Sequence, residues 1–182
     1  MLRWRDPSRA AVAIRTILHY PDPRLREKAN PVTVVTPAIE ALIEDMAETM
    51  YAAPGVGLAA TQIGEPHRIF LIDIAGEDEP SNLMVFINPE IVERHGVQTW
   101  EEGCLSFPGV SEELERAARV KVRATDRDGK TFELEADGLL AVAVQHENDH
   151  LDGVLMVDHM GLLKKRMVNR KLGKGGGVAA RR

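Results

Sequence analysis

Residues 137–151 read DGLLAVAVQHENDHL, and this stretch decides both the fold and the chemistry of the chain. Its apolar residues recur at helical spacing, and His146 and His150 continue the same face. Side chains four apart lie one turn apart on a helix, so two imidazoles reach one ion, with Glu147 beside them as the HExxH pattern requires. The stretch therefore predicts a helix, capped by Asp137, that carries a metal site.

Other stretches indicate further helices and several strands. Thr36 and Pro37 form a typical helix start, and the pattern predicts a helix up to about residue 52. A third helix is predicted at about 161–172, and the DG dipeptide within residues 126–130 predicts a hairpin turn. Strand-like runs occupy residues 68–74, 83–88 and 119–125. The predicted fold class is α+β, with short antiparallel sheets and hairpins around a central helix that carries the HExxH motif.

The composition indicates one globular domain. The chain has 182 residues, 44% of them apolar and 28% charged, which excludes a disordered or fibrous protein. Its longest apolar run, residues 139–144, is far shorter than the roughly 20 residues of a membrane span, so no membrane partner is expected. We predict an N-terminal extension over residues 1–16, a single catalytic domain over 17–172 and a flexible basic tail over 173–182.

The cysteine content and the first residues bear on the compartment. A lone cysteine, Cys104, forms no internal disulfide, which favours a reducing compartment such as the cytoplasm. Residues 1–18 lack the continuous apolar region of a secretion signal, although their arginines leave an organelle-targeting alternative open.

A catalytic zinc-type site takes three protein ligands, so one is missing from the HExxH pair. In metzincins the third ligand is a further histidine, but this chain has Met156 at that position. In thermolysin-like enzymes the third ligand is a glutamate downstream of the motif, but no glutamate follows Glu147 in this chain. The remaining candidates are Asp158, His159 and Cys104. We favour Cys104 because a thiolate is a strong ligand for Zn²⁺ and Fe²⁺, the alternative being a small buried apolar side chain.

Three separated segments are similar to the signature motifs of peptide deformylases. They are GVGLAATQ at residues 55–62, EGCLS at 102–106 and QHENDHLDG at 145–153, and the resemblance extends over residues 17–172. Each motif alone is of moderate specificity, and together they are highly specific. The resemblance implies a hydrolase that removes the N-formyl group from N-formylmethionine of nascent polypeptides and releases formate.

The resemblance also implies roles for individual residues and a cofactor. The metal ligands would be Cys104, His146 and His150, the general base Glu147, and the oxyanion donors the Gln62 side chain and the Leu105 amide. It implies one divalent ion per chain, with Fe²⁺ as the physiological metal and Zn²⁺, Ni²⁺ or Co²⁺ as alternatives.

A pocket for the methionine side chain is predicted from residues near the motifs. Val142 and Ala143 lie one turn before the first histidine, and Val56 and Leu139 are candidates to join them. Periodicity alone favours ordinary core positions, and the resemblance favours the pocket for Val142. Gly57 would let a peptide backbone approach closely. Some relatives carry a substrate-contacting arginine after the cysteine motif, whereas residues 108–111 here read PGVS.

The charge is uneven along the chain. The net charge is −5, yet from Lys164 onward there are eight basic residues and no acidic one. This segment predicts docking on ribosomal RNA, the alternative being a solvated helix end and tail. No DNA partner is expected. Alternative functions are a broader metal-dependent amidase or peptidase and a non-catalytic metal-binding protein.

Overall fold

The computed structural model describes residues 12–76 and 78–173. Within these ranges the chain forms three α-helices, seven strands and three short 3-10 turns. The helices are α1 (Pro37–Ala52), α2 (Gly138–Leu151) and α3 (Leu162–Leu172), and the strands are β1 (Gly57–Ala59), β2 (Ile69–Ile72), β3 (Met84–His95), β4 (Gln98–Gly103), β5 (Ser111–Arg116), β6 (Arg119–Thr125) and β7 (Thr131–Asp137). The α+β class is confirmed.

The strands form two antiparallel sheets. The larger sheet has the order β1-β2-β3-β6-β7, and β4 pairs with β5 in a separate two-stranded sheet. The predicted hairpin is confirmed: β6 and β7 pair from Arg119 opposite Asp137 to Thr125 opposite Thr131. Gly129 lies in the turn at φ 77°, a conformation that favours glycine.

The larger sheet is covered on both faces, because alternate residues of its strands point in opposite directions. Ile69 and Leu71 of β2 pack into a cluster with α1, whereas Phe70 and Ile72 pack into a cluster with α2. Helix α1 therefore covers one face and α2 the other. This arrangement holds α2, and with it the HExxH motif, rigidly against the sheet.

The two main helices begin where the sequence predicts. At α1, the Thr36 hydroxyl accepts a hydrogen bond from the Ile39 amide at 3.3 Å. At α2, Asp137 occupies the capping position, but its side chain makes no capping hydrogen bond, so that part of the prediction is wrong. Nearly all of α2 from Ala141 to Leu151 is buried, which makes it the central helix of the domain.

The small sheet and the end of β3 were not predicted. Strands β4 and β5 form a hairpin that ends beside the cysteine motif. Strand β3 continues seven residues beyond its predicted end at Asn88. Asn88 has a φ of 52°. Its side-chain Oδ1 accepts a hydrogen bond from the Val32 amide, and its Nδ2 donates one to the Val32 carbonyl. The register shifts at this point, so β3 bends and continues as a strand.

The predicted domain boundaries remain a prediction. Residues 1–11 and 174–182, most of the proposed extension and tail, lie outside the described residues. Ala13 and Arg15 hydrogen-bond through their backbone amides to Asp45 and Thr49 of α1. Every helix in the described ranges is too short or too polar to cross a bilayer.

Candidate metal centre

The two histidines of α2 meet the single cysteine beside the helix. One ligand atom from each of Cys104, His146 and His150 lies within 4.8 Å of the others, and Sγ of Cys104 is 3.3 Å from Nε2 of His150. Cys104 directly follows β4, so the small sheet delivers the thiol to the helix. One thiolate and two imidazoles form a donor set that suits Zn²⁺ and Fe²⁺.

The other two candidates for the third ligand lie elsewhere. Asp158 pairs with Arg26, and its Oδ2 also accepts a hydrogen bond from the Leu155 amide at 2.9 Å. His159 contacts Asp149, with Nε2 at 2.7 Å from Oδ2. Both side chains are therefore engaged outside the cluster that contains Cys104.

Glu102 orients the first histidine of the cluster. Nδ1 of His146 lies 2.8 Å from Oε2 of Glu102, so Nε2 is the atom left to face the metal site. Arg116 donates from Nε to Oε1 at 2.7 Å and from Nη2 to Oε2 at 3.0 Å. Burial opposes ionisation of Glu102, but the hydrogen bonds from His146 and Arg116 outweigh it and lower its pKa to about 2.

The second histidine is held differently. Nδ1 of His150 is buried and has no hydrogen-bond partner within the described part of the chain. Burial, together with the positive charges of His146 and Arg116, lowers its pKa well below the ordinary value, which favours the neutral imidazole that binds metals.

Glu147 is the buried carboxylate at the site. Burial raises its pKa to about 7, and its Oε2 has no hydrogen-bond partner among the described residues. Gly57 of β1 lies against its other oxygen: a Cβ atom at position 57 would be 2.5 Å from Oε1. The carboxylate therefore stands in a confined space, with a pKa suited to proton transfer near neutral pH.

Gln62 enters the site from the 3-10 turn Ala60–Ile63, which follows β1 directly. Its Oε1 accepts a hydrogen bond from the Ala59 amide at 2.9 Å, and its Nε2 donates to Oγ of Ser106 at 3.1 Å. Nε2 also lies 3.7 Å from Sγ of Cys104. These contacts fix the plane of the amide and direct its N–H groups toward the cysteine side.

Gln62, Cys104, His146 and Glu147 border one cleft of about 720 Å³, and His150 lies behind them in contact with Cys104. Its walls include Val56 and Gly57 on one side, Leu105 on another, and His146 with Glu147 at the base. Val56 is 49% exposed and available to a ligand.

Three of the predicted pocket residues are not part of the cleft wall. Leu139 is half-buried, and Ala143 packs into the core cluster under α2. Val142 is buried but belongs neither to the two clusters on the faces of the larger sheet nor to a third large apolar cluster, which contains Leu25 and Phe107.

Sequence reasoning assigned no role to several residues of the site. Glu102, Ser106 and Asp149 lie within the three motifs, which give them no role, and Arg116 lies outside every motif. A signal existed for Glu102, because a metal-binding histidine usually donates its other ring N–H to a carboxylate, and Glu102 lies two residues before Cys104. Arg116 has no comparable signal, since it is one arginine in a polar strand.

A buried carboxylate beside a converging Cys/His/His ligand set, at a cleft in an α+β scaffold, defines a metal-dependent hydrolase. The polypeptide deformylase family model matches residues 14–166. The chain belongs to the peptide deformylase family, whose members remove the N-formyl group from N-formylmethionine of nascent polypeptides.

Individual relatives agree with this assignment. The chain is 53% identical to the peptide deformylase of Chromobacterium violaceum over 90% of its own length and 96% of that protein. The crystal structure of a peptide deformylase from Legionella pneumophila superposes with a TM-score of 0.85 at 49% identity, covering 93% of this chain and 99% of that one. A deformylase from Ehrlichia chaffeensis, solved in complex with actinonin, gives 0.86 at 33% identity, covering 91% and 99%.

Proposed function

We propose that the chain performs this deformylation with one divalent ion held by Cys104, His146 and His150 and with Glu147 as the general base. The observation that carries the proposal is the convergence of three ligand atoms within 4.8 Å beside a buried carboxylate with an unpaired oxygen. When bound, such an ion supplies Lewis acidity, which lowers the pKa of a water molecule and polarises the formyl oxygen.

Glu147 would move the proton. It takes a proton from the water that attacks the formyl carbon, and it delivers that proton to the amine nitrogen when the C–N bond breaks. The products are formic acid and the free N-terminal amine, and the acid then releases its proton to become formate, so atoms and charges balance. The pKa of about 7, raised by burial, suits a group that acts first as base and then as acid.

Gln62 and the Leu105 amide would stabilise the negative charge that develops on the formyl oxygen. The Gln62 amide is held in place by Ala59 and Ser106, so its N–H groups need no reorientation during the reaction. Leu105 borders the same cleft directly after Cys104. The role of its backbone amide is carried over from the family motif.

The peptide would enter along β1. Val56 and Gly57 line the cleft, and a backbone without a side chain at position 57 permits close approach of a substrate strand. We assign Val142, with Leu139 and Ala143 nearby, to the methionine pocket. The observation in favour is that Val142 is buried on the metal-binding helix yet lies outside the three large apolar clusters.

We propose Fe²⁺ as the physiological ion, with Zn²⁺, Ni²⁺ and Co²⁺ as ions that the same donor set accepts. A thiolate ligand next to ferrous iron makes the site sensitive to oxygen. The cytoplasm, where thiols stay reduced, suits the lone cysteine.

We also propose that α3 docks the enzyme on the ribosome. Arg166 and Arg170 lie on this helix, and its apolar residues Leu162, Leu163 and Met167 are exposed. Ribosomal RNA presents a dense array of phosphates that such a helix would bind. The further basic residues at 174–182 lie outside the described residues. Co-sedimentation with ribosomes should fall as salt rises, and changing Arg166 and Arg170 to glutamine should weaken it.

The deformylation proposal is tested with protein purified without oxygen and loaded in turn with Fe²⁺, Ni²⁺ or Zn²⁺. Amine release is measured from matched formyl-Met and acetyl-Met tripeptides. We expect reaction of the formyl peptide only, and a rate at least 10²-fold lower for Glu147→Gln with metal still bound. Comparable reaction of both peptides would indicate a broader amidase, and an active Glu147→Gln variant would remove Glu147 from the mechanism.

A further inference from the structure

His159 lies outside the metal cluster but at the end of a chain of hydrogen bonds that leads to it. We propose that His159 is a positioning residue for the metal site, acting on His146 through the groups between them. This inference rests on the proposed metal centre. It gives a function to a histidine that the reaction itself does not use.

The first link between His159 and the metal cluster is Asp149. Its Oδ2 accepts a hydrogen bond from Nε2 of His159 at 2.7 Å and one from Nη1 of Arg116 at 2.6 Å. A carboxylate oxygen that accepts two donors has little freedom to rotate. The Asp149 side chain is 25% exposed, so without the imidazole it is free to turn toward solvent and leave Arg116.

Arg116 transmits this constraint. Its guanidinium is only 5% exposed and is shared between two carboxylates, with Nη1 on Asp149 and Nε and Nη2 on Glu102. The planar fork means that the position of one carboxylate restricts the other. Glu102 in turn accepts from Nδ1 of His146 at 2.8 Å, which sets the direction in which Nε2 of that ring points.

His159 is itself held firmly. It follows the 3-10 turn Met156–Asp158, and its amide donates to the Met156 carbonyl at 3.2 Å. Met156 and Val157 are buried, and Asp158 is bound by Arg26. The imidazole is thus presented to Asp149 from a rigid element that contributes no ligand to the metal.

Three variants test the inference. His159→Ala removes the donor, His159→Phe fills the space of the ring without a donor, and His159→Gln places an amide N–H near the position of Nε2. The matched control is His95→Ala, which removes another histidine that contacts a carboxylate, at 3.1 Å from Glu93 on β3. The His159 side chain is 33% exposed, so these changes do not open the core.

The measurements are the rate of metal release to a chelator and the visible absorption of the Co²⁺-loaded protein, with the melting temperature followed in parallel. We expect His159→Ala and His159→Phe to release metal about tenfold faster and to alter the Co²⁺ spectrum. We expect His159→Gln and His95→Ala to match the wild type. A wild-type rate for His159→Phe, or a rate for His159→Gln equal to that of His159→Ala, would overturn the inference. A wild-type protein that retains no metal would instead overturn the proposed metal centre.

Discussion

Gly57 and Glu147 lie so close that position 57 has no space for a side chain. A Cβ atom there would be 2.5 Å from Oε1 and 3.0 Å from Cδ of the Glu147 carboxylate. The atoms it would meet belong to the free end of a side chain, which can move, rather than to backbone. A methyl group at position 57 would therefore displace the proposed general base while the fold persists.

Gly57→Ala should for this reason lower kcat by about 10²-fold, in the range of losing a general base, and leave the melting temperature nearly unchanged. Steady-state kinetics and thermal unfolding measure both effects. Gly161→Ala is the matched control, because a Cβ atom there meets nothing within 4 Å and its φ is −63°. Wild-type kcat in the Gly57→Ala enzyme would contradict this account of the contact.

Glu102→Gln should weaken metal binding and destabilise the fold together. The substitution keeps the shape of the side chain but leaves the buried Arg116 guanidinium without a full counter-charge and His146 with a weaker acceptor. We expect a loss of about 3 kcal/mol in the free energy of unfolding and at least tenfold in metal affinity. Urea unfolding and chelator competition provide the values. Glu101→Gln, on the exposed side of the same strand, should change neither quantity appreciably.

Gln62→Ala should reduce kcat far more than it changes KM. Removal of one oxyanion donor typically costs about 2.7 to 4 kcal/mol in the transition state, or 10² to 10³ in rate. Gln98 offers a control, since it is also a glutamine whose Nε2 bonds to backbone carbonyls, those of Ala117 and Gly138. Gln98→Ala should lower stability without lowering kcat. A Gln62→Ala enzyme altered only in KM would not have lost an oxyanion donor.

Glu147→Gln should stabilise the metal-free protein at alkaline pH. Burial raises the pKa of Glu147 to about 7, above the 4.5 of an ordinary glutamate, so the folded state binds this proton more tightly than the unfolded state. Its contribution to stability is complete below about pH 4.5 and is lost as pH rises through 7. Glutamine stays neutral throughout.

The gain in unfolding free energy for Glu147→Gln should therefore be near zero at pH 4.5 and reach up to about 3 kcal/mol at pH 8. Denaturant unfolding after chelator treatment at the two pH values measures it. Glu133→Gln, at an exposed carboxylate paired with Lys121 and Arg123, should show no gain. An equal gain at both pH values would mean that the titration of Glu147 is not its cause.

The sequence predicted the helices and the pair of metal-binding histidines because both depend on local spacing. Helix α1 extends from Pro37 to Ala52 as its apolar period indicates, and His146 and His150 meet because they are one turn apart on α2. The position of Cys104 beside them depends instead on a long-range contact, because Cys104 and His150 are 46 residues apart in the sequence. Exclusion of other ligands and the family resemblance, rather than any local pattern, indicated that contact.

Strands β4 and β5 were not predicted because some of their buried positions carry charged side chains. The buried side chains of these strands are Glu102, Leu114 and Arg116, so the usual alternation of apolar and polar residues is interrupted by a buried ion pair. Polar strands of this kind look like loops in a sequence. The same two charged residues orient His146, so the hairpin and the outer part of the metal centre were missed together.

Because the Cys104 thiol lies at the end of β4, a bound metal also affects the stability of the fold. An ion bound by Cys104 and His150 joins residues 46 apart and acts as a reversible cross-link between the two-stranded sheet and the central helix. Like a disulfide, it restricts the unfolded chain more than the folded one, and it makes stability rise with the free metal concentration. Amide hydrogens of β4 and β5 should then exchange more rapidly after chelation, whereas those of β2 and β3 keep their protection.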